Sequence, residues 1–89
     1  MIYYQYIATY TNNLQQSSTI LSTRSCEDAE YNTHLLETKT IVKQFIRASN
    51  NNILPSIIEQ IKTLTETEFN NIVKGPDDLE INPDIPVEL

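Results

Sequence analysis

The chain holds a single glycine, Gly75, among 89 residues, and no tryptophan. Loops that cradle phosphates need several glycines, so that backbone N–H groups can approach the ligand. P-loop and dinucleotide fingerprints are missing, which sets aside nucleotide and nicotinamide chemistry and leaves no cofactor to expect. Cys26 is the only cysteine, so no internal disulfide forms, and His34 is the only histidine. One Cys and one His cannot close a structural zinc site. On a common helix the two would stand about 12 Å apart, too far for a nucleophile–base pair. No apolar stretch approaches the roughly 18 residues of a membrane helix, and no basic start followed by an apolar run marks a signal peptide. The resulting expectation is a non-enzyme, free of metal and membrane, in a reduced cytoplasm (the host cytoplasm if phage-encoded).

Charge is scarce and unevenly placed. The formal net charge is −6, yet residues 75–89 carry five acidic side chains and no basic one, leaving −1 for residues 1–74. The chain therefore divides into a small globular domain, 1–74, and an extended acidic, apolar tail, 75–89. Ten Thr, nine Asn, six Ser and five Gln outnumber the eighteen charges, so contacts rest on hydrogen bonds and shape.

The alternation of Ile2, Tyr4, Tyr6, Ala8 and Tyr10 suits one face of a strand. Asn12-Asn13 offers the positive φ that a two-residue hairpin turn requires. Folding back there sets Tyr4 opposite Leu21 and Tyr6 opposite Thr19, giving a hairpin over about 2–23. A long helix follows over about 26–49, capped by Ser25 with Asp28 as a weak box partner. Its apolar face is Tyr31, Leu35, Thr38, Val42 and Phe45, flanked by Ile41 and Ile46. One or two shorter helices are expected over about 55–74, the first started by Pro55 with Ile57, Ile58, Ile61 and Leu64 along one side. A buried strand is the alternative for that isoleucine-rich run. Thr65 with Glu68 forms a better capping box, and Lys74-Gly75-Pro76 a stop. The fold class is α+β; the alternative, from helical spacing of Tyr3, Ile7, Tyr10, Leu14 and Leu21, is an all-α three-helix bundle.

Three groups are candidates for binding. Tyr3, Tyr6 and Tyr10, with Tyr4, combine apolar area with a polar tip, as interface anchors do. Asp77, Asp78, Leu79, Glu80, Ile81, Asp84 and Ile85 form a strip suited to strand addition or groove docking, on a partner or on the chain's own body. Lys39, Lys43 and Arg47 recur every four residues beside the helix's apolar face, a place for tail docking or anion contact. Six basic residues are few for neutralising phosphates, so direct nucleic-acid binding is not expected. The function expected is a small non-catalytic protein-interaction module, an inhibitor or modulator of a larger protein, of the accessory type that phages and mobile elements encode, for instance against host defence. The alternatives are an acidic nucleic-acid mimic and a homo-oligomeric subunit, a homodimer or larger.

Overall fold

A computed structural model describes residues 1–72 and 75–79. β1 (Ile2–Thr11) and β2 (Ser17–Cys26) form the hairpin, a single 3₁₀ turn spans Asp28–Glu30, and α1 (Tyr31–Ser49) follows. β3 (Ile57–Leu64) and α2 (Glu66–Asn71) complete the elements. The fold is α+β: a three-stranded antiparallel sheet ordered β2-β1-β3, with α1 packed across one face.

The tyrosine alternation sets the layers. Tyr4, Tyr6 and Ala8 point beneath α1 and are fully buried. They meet Val42 and Ile46 from the helix and Ile20 and Cys26 from β2, with Ile2, Tyr10, Tyr31, Leu35 and Ile57 packed around them. Thr38 replaces an apolar residue at the centre of the helix face because Tyr4 needs a hydroxyl partner there. Phe45, expected on the buried face, is 46% exposed, whereas Ile46, expected at its flank, is 0% exposed. The helix is thus rotated from the expected stripe toward Ile46. Ser22, opposite Tyr6 and fully buried, has a hydroxyl without a partner among the described residues.

Three local expectations are corrected. The hairpin register sets Tyr4 opposite Arg24 and Tyr6 opposite Ser22, not Leu21 and Thr19. The turn is a five-residue loop in which Asn12 Oδ1 accepts from the backbone of Leu14 (2.9 Å) and Gln16 (3.0 Å). Positive φ falls on Gln15 instead of on the asparagines, since the Asn12 side chain has already reversed the chain. The longer loop lengthens β2, so Ser25 and Cys26 pair with Tyr3 and Ile2, and Ser25 caps no helix. The helix over 26–49 accordingly begins as one 3₁₀ turn at Asp28 and becomes α-helical at Tyr31. Asn51 and Asn52 end it in left-handed backbone, where the Asn52 N–H returns to the Arg47 carbonyl at 2.8 Å.

The expected helix from Pro55 is a strand instead. Its isoleucines satisfy both periods, and the open edge of β1 decides between them, pairing Tyr3 through Tyr10 with Leu64 through Ile57. β3 is an edge strand, mostly exposed, not a buried one. The helix that does form in this region, α2, has the full Thr65–Glu68 capping box, and Phe69 lies against Tyr3 with ring centroids 4.9 Å apart. It ends at Asn71, ahead of the expected stop, and Gly75 has no positive φ; Val73 and Lys74 lie outside the described residues.

Adjacent residues on α1 make the helix rotation testable. Ile46→Ala should lower unfolding free energy by about 2–4 kcal/mol in urea titrations, and Phe45→Ala by less than about 1 kcal/mol.

Candidate interaction surface

Each long edge of the sheet has a different fate. At the β2 edge the chain covers itself: the Leu21 N–H donates to the Asp77 carbonyl at 2.8 Å, and the Leu79 N–H donates to the Leu21 carbonyl. Leu21 and Asp78 thus form a parallel bridge. The Asp78 carboxylate accepts from the Thr23 hydroxyl (2.6 Å) and the Thr23 N–H (3.3 Å) on the far side of the sheet. Leu79 turns the other way and packs against the core. Asp77, Asp78 and Leu79 therefore add to their own body by strand pairing. Glu80, Ile81, Asp84 and Ile85 lie outside the described residues. Beside this bridge, Tyr10, Ile20, Phe45, Pro76 and Leu79 line a cleft of about 570 Å³.

The β3 edge has no such cover among the described residues. Ile58 is 74% exposed on the face away from α1 and Ile61 39% exposed on the near face, with Ile53 and Leu54 exposed in the preceding loop. Edge strands usually carry proline or several charges to discourage further pairing. β3 has no proline and only two charges, Glu59 and Lys62. One of those points inward: Glu59 accepts a 2.6 Å hydrogen bond from the Tyr6 hydroxyl.

Glu59 also collects two of the three basic residues of α1. Lys39 Nζ lies 3.9 Å and Lys43 Nζ 3.8 Å from its carboxylate oxygens. Lys39 and Lys43 therefore lie along the β3 flank of the helix, whereas Phe45 faces the cleft on the β2 side. Arg47, one turn beyond Lys43, is exposed, and the roughly 40° drift of a four-residue row turns it away from the sheet. Two lysines thus border the edge with one carboxylate between them.

The tyrosines part company. Tyr6 is 0% exposed and presents no surface; burial, reinforced by its bond to Glu59, holds its phenol above the usual tyrosine range. Tyr10 is half-buried at the cleft, and Tyr3 is half-buried under Phe69 on the opposite face. Glu59 and the exposed Ile53, Leu54 and Ile58 carry no mark as interface residues in the sequence. Only the odd-numbered alternation Ile57, Glu59, Ile61, taken as a strand, hints at them.

His34 belongs to a partly buried hydrogen-bond network. The Thr38 hydroxyl donates to the His34 carbonyl at 3.0 Å and accepts from Arg24 at 2.8 Å. Tyr4 then donates to Thr38 at 2.7 Å, and His34 Nδ1–H donates to the Tyr4 oxygen at 2.8 Å. That tautomer satisfies every member of the network. Burial, followed by the Arg24 charge, holds the His34 pKa below its ordinary value. Cys26 is buried at the end of β2, and burial pushes its thiol up, away from the reactive thiolate. No cluster of His, Cys, Asp or Glu among the described residues has metal-holding geometry, and no helix is long and apolar enough to cross a membrane.

Compared with known proteins, the chain matches no family model, no curated protein and no solved structure.

Two outcomes follow from this geometry. Removing the carboxylate with Asp78→Ala should cost about 1–2 kcal/mol and speed amide exchange at Leu21 and Thr23, read by NMR. His34 favours the neutral ring when folded, so its contribution to stability is present above pH ~6.5 and is lost as pH falls through the lower folded value. Urea midpoints should drop between about pH 7 and 5 for the wild type, and drop less for His34→Gln.

Proposed function

We propose that this protein is a small non-catalytic interaction module that inhibits or modulates a larger protein, with β3 as its contact element. The supporting observation is the β3 edge: one side of this eight-residue strand pairs with β1, and the outward-facing half of its N–H and C=O groups meets no strand among the described residues, flanked by exposed Ile53, Leu54, Ile58 and Ile61. A row of unmet N–H and C=O groups is a template for an incoming strand. Opposite it, the chain occupies the middle of its other edge, at Leu21, with its own residues 77–79. One edge interrupted and, among the described residues, the other open suits a protein that takes one partner and stops there. The site of action would be the cytoplasm, in keeping with an accessory protein of a phage or mobile element.

The inward placement of Glu59 supports the same reading. Its carboxylate is held by Tyr6, Lys39 and Lys43, and so does not guard the edge as a free charge would. A nucleic-acid mimic would need carboxylates arrayed outward at phosphate-like intervals. Here the lysines cancel the one carboxylate that β3 contributes.

Affinity capture from native lysate tests the proposal. The wild-type chain should retain a protein at a fixed stoichiometry. Ile58→Lys, at a position exposed enough to change stability by less than about 0.5 kcal/mol, should release it. Equal retention by both chains would move the contact away from β3. Retention of nucleic acid alone would reject the module.

A further inference from the structure

We infer that the β3 edge accepts an acidic, extended peptide segment of its partner as an added strand, with alternate carboxylates lying along Lys39 and Lys43. The assignment rests on the interaction-module reading and adds to it the chemistry of the partner.

An incoming strand takes its place about 4.8 Å beyond β3, and every second side chain of it faces α1. Those side chains enter the strip bordered by the basic row. Lys39 and Lys43 already reach over the sheet to Glu59 at 3.9 and 3.8 Å, so their ammonium groups stand at the seam where the added strand would run. One carboxylate does not neutralise two ammonium groups, each of which is 3.8 Å or more from it. The local excess is positive in a chain whose net charge is −6. Acidic residues on the incoming strand correct that excess, whereas basic ones worsen it.

The spacing fits as well. Successive members of the row, four residues apart on the helix, are separated by about 6 Å. Residues i and i+2 of an extended strand are separated by about 6.6 Å on the same face. Two carboxylates at alternate positions therefore keep step with Lys39 and Lys43. Residues between them face the opposite side, where Ile58, Gln60 and Lys62 are exposed, which calls for an apolar side chain beside Ile58. At the end of the strip, Lys43, Leu54, Pro55, Ile57 and Glu59 line a shallow groove of about 280 Å³, room for one further side chain. The recognised pattern is acidic–apolar–acidic.

Two other occupants fit less well. A second copy pairing through its own β3 about a two-fold axis normal to the sheet sets both helices on the same side. Both lysine rows then face one another across one seam, an arrangement of like charges. A nucleic acid would meet the cations but leave the strand's N–H and C=O groups unpaired.

The test uses the full chain and a fluorescent ten-residue peptide alternating glutamate with valine, followed by anisotropy and salt titration. Binding should weaken as salt rises. The glutamine–valine peptide, and the Lys39→Glu/Lys43→Glu chain with unchanged circular dichroism, should each bind about tenfold more weakly. Lys39→Gln/Lys43→Gln, which removes charge without reversing it, should fall between. Methylating alternate backbone nitrogens of the peptide should abolish binding for one alternate set and spare the other, because only one set of N–H groups faces β3. Equal binding to the charge-reversed chain, equal effects of both methylated sets, or absence of peptide binding overturns the assignment. So does tighter binding of a single-stranded oligonucleotide of matching charge, or sedimentation as a dimer that the peptide does not disperse. A lysate protein captured equally by wild type and Lys39→Glu/Lys43→Glu keeps the interaction module and removes this site.

Discussion

Two tyrosine hydroxyls inside the core govern how this molecule is put together. Tyr4 and Tyr6 are fully buried on β1, and each phenol must find a hydrogen-bond partner where water cannot reach. Tyr4 finds Thr38 and His34 on α1; Tyr6 finds Glu59 on β3. These bonds span 30 to 53 residues of sequence, and they fix where the helix lies on the sheet and which strand takes the free side of β1. An apolar pair of the same size would bury equal area but would leave the helix free to slide. The polar tips are what make the packing specific.

The surface follows from the same constraint. Because Tyr6 draws Glu59 inward, the β3 edge loses the one carboxylate able to guard it, and Lys39 and Lys43 are gathered at its rim. The helix flank facing β3 is therefore cationic, while the flank facing β2 presents Phe45 over a cleft that the chain's own Pro76 and Leu79 help to build. The β2 edge is occupied through Leu21, and the β3 edge is bare among the described residues.

Much of the interior was legible in the sequence. Tyr4, Tyr6 and Ala8 alternate with polar residues, and a period of two can place them on only one face of a sheet. Thr65 and Glu68 form their capping box from purely local hydrogen bonds, so three residues of context suffice. Register was not legible. Asn12 signals a turn, but whether two or five residues close it depends on hydrogen bonds from the Asn12 side chain to Leu14 and Gln16. Phe45 and Ile46 are neighbours, and a small rotation of the helix exchanges their environments. The rotation is set by Thr38 meeting Tyr4 from another element, which no helical periodicity contains.

By itself the sequence determined the α+β class, the buried face of β1 and the identity of the long helix. Each of these follows from residue type or from spacing within a single element. Tertiary structure alone decided that Ile57–Leu64 is a strand, that Lys39 and Lys43 face it, and that Asp77–Leu79 bridges the opposite edge at Leu21. An isoleucine-rich run satisfies helix and strand alike, and only the unmet hydrogen bonds of β1 choose between them.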